Sequence, residues 1–208
     1  MIEIFILSIF QGITEFLPIS SSSHLILMSE YLKFENQSLS IDISLHIGSF
    51  IAVVMYFYKD IKNFFNNKII FLKILISSLP VMIVGFFLVE TNLINKIRNL
   101  ETIAWTTTLF GILLYVSDKF KIEKSLQNNL NIKSVFFIGI LQILSLVPGV
   151  SRSGIAITAA RLLKFKRTDA AKISFLISIP ILGAVSIFGL KNLIFLENFE
   201  FTKLNLIS

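Results

Sequence analysis

Cysteine is absent from this 208-residue chain, which excludes disulfides and thiolate metal sites. Charge is scarce as well: Asp, Glu, Lys and Arg make up 15% of the residues, against ~25% in soluble domains. Only two histidines, one tryptophan and four prolines occur, so each stands out where it falls. No basic stretch precedes the first apolar run and no small-residue cleavage site follows it, so no removable signal peptide is expected. What the chain has in abundance is apolar: 54% of residues, 21 Phe among them, with mean hydropathy +0.80. That composition predicts an all-α integral membrane protein. A net charge of +6 would suggest nucleic acid or anionic lipid in a soluble protein. Here the lysines gather in particular loops, so topology explains them and the partner expected is the bilayer, with no nucleic acid.

Apolar runs lie at Ile2–Ile19, Ser44–Tyr58, Ile69–Val89, Thr102–Ser117, Ile132–Val147 and Lys172–Leu190. Only Ile69–Val89 and Lys172–Leu190 approach the ~20 residues that a spanning helix needs. Loop charge sorts the connections. Tyr58–Lys73, with Lys59, Lys62, Lys68 and Lys73 against Asp60, reads as cytoplasmic. Asp118–Lys133, with Lys119, Lys121, Lys124 and Lys133, reads the same way. The Glu90–Glu101 loop balances Lys96 and Arg98 with two glutamates and reads as external. So does the mildly acidic stretch holding Glu30, Lys33, Glu35 and Asp42. Lys164, Lys166 and Arg167 form a third basic loop. Two basic loops therefore flank Ser134–Leu163, which predicts a re-entrant hairpin broken at Pro148-Gly149. By the same reasoning Met1–Leu32 is a hairpin entered from outside and broken at Pro18.

The two hairpins share a pattern. Phe10–Ser22 lies over Leu141–Ser153 without a gap, so that Gln11 meets Gln142, Thr14 meets Ser145, and Ser20-Ser21-Ser22 meets Ser151-Arg152-Ser153. The expectation is a single membrane domain over 1–208, with a first repeat at about 1–125 and a second, incomplete one at about 126–208. Opposite entry sides make it an inverted-topology repeat whose broken segments meet near the bilayer midplane.

The chemistry concentrates in Gln11–Leu25, QGITEFLPISSSSHL, and in LQILSLVPGVSRSG. Polar groups at hydrocarbon depth cost several kcal/mol each unless they are satisfied or line an aqueous cavity. The plainer reading of the first stretch is a polar loop between two membrane segments. Each serine turn precedes a short apolar helix, and a helix N-terminus favours an anion. Arg152 is always charged and its fork fits phosphate oxygens. Glu15 is a candidate partner for it, and the plainer reading is an ion pair that holds the hairpins together. Gln11 and Glu15 share a helical face and offer oxygens to a divalent cation (Mg or Ca), which would need further oxygens from a substrate's phosphates. His24, three residues after Ser21, is a candidate base for it, or protonates a leaving phosphate, or activates water. A capping or packing role for His24 stays open. His46, on an apolar segment, reads as structural or as a support to the site.

These two stretches closely resemble the signature regions of the undecaprenyl-pyrophosphate phosphatase family, also called bacitracin-resistance proteins. SLHIGSFIAVV and RTDAAKISFLISIPILGA extend the resemblance over most of the chain. It implies an enzyme of the bacterial cytoplasmic (inner) membrane that removes the terminal phosphate of a C55 isoprenoid pyrophosphate, and so recycles the cell-wall lipid carrier. It places Glu15 and Gln11 in an acidic metal-associated motif and Ser20, Ser21 and Ser22 in a serine cluster. Ser21 matches the proposed nucleophile and His24 the catalytic histidine. Ser151, Arg152, Ser153 and Gly154 match the phosphate-binding turn. It implies no organic cofactor and leaves a homodimer open. Members of the family usually continue for about two more membrane segments, so a C-terminal part shorter than the family pattern is expected here.

The function expected is hydrolysis of a polyprenyl pyrophosphate at a cavity open to the outer face, by Ser21 or by water activated at His24. The rival class is a transporter or flippase for a phosphorylated lipid, since inverted repeats with broken helices serve carriers too. An inactive, truncated membrane protein is a third reading.

Overall fold

A computed structural model describes residues 2–34, 39–91, 93 and 97–195. Glu35 and Lys96, counted in the loop charges above, lie outside them, as does the part of the expected second repeat beyond 195. The described residues form ten α-helices: α1 (Ile2–Thr14), α2 (Ser21–Leu32), α3 (Leu39–Tyr56), α4 (Tyr58–Asn66), α5 (Lys68–Glu90), α6 (Leu100–Asp118), α7 (Leu126–Asn129), α8 (Ile132–Gln142), α9 (Arg152–Leu162) and α10 (Arg167–Phe195). A 3₁₀ turn, Ile143–Leu146, extends α8. Three stretches are long and apolar enough to cross a membrane: Lys68–Glu90, Leu100–Asp118 and Arg167–Leu190. The second corrects the expectation of two near-full-length spans. Asn99 Oδ1 accepts the Thr102 N–H at 2.8 Å, which starts α6 before the apolar run begins.

Solvent preference is inverted in the way lipid demands. Ile2, Phe5, Ile9 and Ile13, spaced along one stripe of α1, are exposed, while Gln11 and Thr14 of the same helix are buried. The core gathers Phe165, Ala170, Ile173 and Ile177 with Ala159 and Ala160 of α9. These small residues let α9 lie close to α10, as membrane helices with no hydrophobic drive between them require. Gly139 does the same between α8 and α5: a Cβ there would stand 2.6 Å from the Ser77 carbonyl oxygen.

Two helices of the chain are broken and both breaks are satisfied from outside. Gly149 has φ +94, open to glycine, and a Cβ on it would collide with Thr106 Oγ1. Thr106 Oγ1 donates to the Pro148 carbonyl at 2.6 Å and Thr107 Oγ1 reaches the Gly149 carbonyl at 3.3 Å, so α6 supplies the hydrogen bonds that the break removes. At the other break the Leu17 carbonyl accepts from Ser153 Oγ at 2.5 Å.

The two basic loops around the second broken helix lie side by side. Glu123 N–H and Lys124 N–H both donate to the Lys164 carbonyl, and Lys166 N–H returns to the Lys124 carbonyl. Beneath them Arg161 is 2% exposed and donates to the carbonyls of Phe165, Asp118 and Phe120.

Candidate active site

Glu15 is the hub. It closes the last turn of α1 through its N–H to the Gln11 carbonyl, and the chain then breaks at Pro18. Its Oε2 accepts from Gln11 Nε2 at 2.7 Å and from Ser21 Oγ at 2.8 Å. Arg152 donates to Oε1. His46 Nδ1, brought by α3, stands 3.1 Å from Oε2 and 2.8 Å from Gln11 Nε2. The amide therefore has one proton for the carboxylate and one for the ring. With Nδ1 accepting, the neutral ring keeps its own proton on Nε2, and a protonated ring donates to Glu15 instead. The carboxylate is 3% and the guanidinium 16% exposed, so the charges are paired where hydration is poor.

The serines divide into two sets. Ser20 caps α2, its Oγ accepting from Ser23 N–H, and Ser151 caps α9 by accepting from Gly154 N–H at 3.1 Å. Each cap also lies against the serine two residues on, Ser22 at 3.3 Å and Ser153 at 3.0 Å. The first N–H groups of both helices have no intrahelical acceptor, and the two N-termini come to one place. Beside them lies a cavity of about 490 Å³. Glu15, Ser20, Ser21, Ser22, Ser151 and Arg152 line it, and Phe86, Val89 and Phe188 are among its apolar walls.

Of the residues marked in the sequence, Gln11 is buried behind Glu15 and Ser153 is turned to the Leu17 carbonyl. Gly154 has its N–H taken by the cap, and a Cβ on it would stand 3.4 Å from the Pro18 carbonyl. The Ser21 hydroxyl donates to Glu15, not to His24. His24 Nδ1 lies 2.6 Å from the Ser20 carbonyl, which can only accept, so the free nitrogen of the ring is Nε2. His46, by contrast, lines the cavity. Its place was legible only once α3 was known to pack against α1, because a lone histidine on an apolar run carries no sign of what it faces.

Residues 4–207 match the family described as bacitracin resistance protein BacA. The chain belongs to this family. It is 50% identical over 209 residues to an undecaprenyl-diphosphatase of Pelagibacter ubique (strain HTCC1062), covering all of this chain and 81% of the relative. An undecaprenyl-diphosphatase of Saccharophagus degradans is 42% identical over 189 residues, 85% of this chain and 71% of the relative. One from Jannaschia sp. is 38% identical over 203 residues, 91% of this chain and 76% of the relative. The BacA match takes in both serine turns and the break that follows each of α1 and α8.

A divalent cation fits this BacA-family site only in part. The described residues hold no cluster of three or more His, Cys, Asp or Glu side chains suited to a metal. Glu15 is engaged by four side chains, and Gln11 Oε1 is a buried oxygen with no hydrogen-bond partner. One carboxylate and one free amide oxygen fall well short of the six or more oxygens that Mg²⁺ or Ca²⁺ takes.

Proposed function

We propose that this chain hydrolyses undecaprenyl pyrophosphate to undecaprenyl phosphate and inorganic phosphate, and so returns a cell-wall lipid carrier to use and contributes to bacitracin resistance. The observation that carries the reading is the Arg152–Glu15–Ser21 chain of hydrogen bonds, set where two helix N-termini meet at a cavity, in a chain half identical to a protein named for that reaction. Relatives named as phosphatases weigh against a carrier.

In the reaction, the terminal phosphate takes Arg152 from Glu15 and draws the N-terminal N–H groups of α2 and α9. Glu15, relieved of its cation, accepts the Ser21 proton as Oγ bonds to the terminal phosphorus and the bridging P–O bond breaks. The departing lipid phosphate takes that proton from Glu15. Water then attacks the phosphoserine, giving a proton to Glu15, which returns it to Ser21 Oγ as phosphate leaves. Most of the gain comes from fixed positive charge around the phosphoryl group in flight. His24, with Nε2 free and one turn beyond Ser21, would orient the water whose proton Glu15 takes. Ser20, Ser22 and Ser151 offer hydroxyls to the phosphate, and Ser153 holds the two breaks together.

A divalent cation, held by Gln11 Oε1 and Glu15 and otherwise by the substrate's own phosphates, would neutralise phosphate charge. The cavity accommodates the diphosphate and the first isoprene units. The rest of the C55 chain lies along the exposed apolar side chains, in the bilayer.

The membrane is the bacterial inner membrane, and the site opens to its outer face. The paired basic loops support a common cytoplasmic side for 118–133 and 164–172, and with it the re-entrant reading of the segment between. The equivalent caps at Ser20 and Ser151 support an inverted repeat. The test is phosphate release from undecaprenyl pyrophosphate by purified protein, with and without EDTA. Wild type should turn over and Arg152→Ala should lose ~10³-fold. No release by wild type would remove the reading.

A further inference from the structure

The cavity has a second buried ion pair that the reaction above leaves unused. Arg98, just before the cap of α6, donates to Asp42 Oδ2 at 2.5 Å, with side chains 17% and 4% exposed. Both residues line the same cavity as Arg152 and Ser21. Asp42 stands one helical turn before His46 on α3, and His46 touches Glu15. Asp42 and His46 are thus one turn, ~6 Å of helix rise, apart on α3, and through them this helix touches both guanidinium–carboxylate pairs. Among the described residues that line this cavity, Arg98 and Arg152 are the permanent cations. Asp42 Oδ1 is buried with no hydrogen-bond partner, so the carboxylate is only half satisfied. Two latched arginines along one wall match a ligand with two phosphates, one for each.

Resting on the phosphatase reading, we propose that Arg98 binds the lipid-proximal phosphate of the substrate while Arg152 binds the terminal one. The Asp42 carboxylate holds Arg98 in place in the empty protein and competes with the ligand for it. The first isoprene units lie against the apolar walls of the same cavity, to which α5 contributes Phe86 and Val89. After cleavage the lipid monophosphate keeps only the Arg98 contact, and Asp42 displaces it by taking the guanidinium back. Arg98 would thus set the preference for a prenyl phosphate over free phosphate.

The test uses the full chain in detergent, with farnesyl diphosphate, farnesyl phosphate and inorganic phosphate as probes in calorimetric titrations, and KM from phosphate release. Arg98→Ala should weaken farnesyl diphosphate and farnesyl phosphate about tenfold or more and leave inorganic phosphate unchanged. Arg98→Lys should recover part of the loss, and it covers the case in which the alanine variant does not fold. Asp42→Asn should tighten both prenyl ligands, which a purely structural pair cannot do. Equal weakening of all three probes in the Arg98 variants, or weaker prenyl binding in Asp42→Asn, would overturn the proposal. Because farnesyl phosphate carries no anhydride bond to cleave, its binding is read without turnover, and a wild type that binds it through Arg98 but releases no phosphate from the diphosphate would sink the phosphatase reading alone. Failure of wild type to bind either prenyl ligand overturns the subsite as well.

Discussion

Glu15 holds four polar side chains on two oxygens, and this crowding is what makes it useful. Arg152 pairs with it and aligns it, and ligand phosphate is what can draw Arg152 away. His46 touches both Glu15 and Gln11, so it positions the base. His46→Ala should lower kcat about tenfold to a hundredfold with little change in KM. His46→Gln should recover part of that loss, because its amide can accept from Gln11 or donate to Glu15 as the ring does. His24 has its Nδ1 tied to the Ser20 carbonyl, and His24→Ala should cost the hydrolysis of the phosphoserine more than its formation. Rapid-quench measurement of phosphoenzyme accumulation checks this. Arg161 serves the fold. It fixes three carbonyls in the dry interior, and Arg161→Ala should destabilise the protein by about 3 kcal/mol, read as a lower melting temperature in detergent.

At the scale of elements, what was legible in the sequence was the material of the site. Glu15, the serine turns and Arg152 stood out because polar groups in apolar sequence need a reason. What the pattern did not carry was contact across distance. Asp42 and Arg98 looked like ordinary loop charges, balanced by neighbours, until α3 and the start of α6 came to one cavity wall. The Ser21–His24 pair followed from spacing along one helix, yet a hydroxyl takes the strongest nearby acceptor, and that is the Glu15 carboxylate from the preceding break. The length of α6 was underestimated because the apolar run was counted without its cap at Asn99. The breaks themselves are held by borrowed hydroxyls, and Gly149 is where no side chain fits. Gly149→Ala should abolish activity and lower the melting temperature, since its Cβ would overlap Thr106 Oγ1. A simultaneous Thr106→Ala should restore only part of the stability, because the positive φ remains unfavourable to alanine.

For the whole molecule, the lipid-facing exterior and hydroxyl-rich interior follow from one rule, that backbone and polar groups must find partners inside the protein when the solvent is hydrocarbon. The membrane class was legible from composition and the meeting of the two broken segments from their shared pattern, whereas the packing of α9 against α6 and α10 was not. The natural absence of cysteine makes topology directly measurable. Single cysteines at Lys121 and Lys166 should react with an impermeant maleimide from the same, cytoplasmic, side; labelling from opposite sides would refute the re-entrant reading.

The central claim is that Ser21 attacks with Glu15 as its base, at the point where the two breaks touch. The direct measurement is initial phosphate release from undecaprenyl pyrophosphate by wild type, Ser21→Ala and Glu15→Gln at equal amounts of folded protein. Both variants should fall by ~10³-fold, Ser21→Ala with the wild-type melting transition and Glu15→Gln with a lower one, since Arg152 loses its carboxylate. Undiminished release from Ser21→Ala would contradict it.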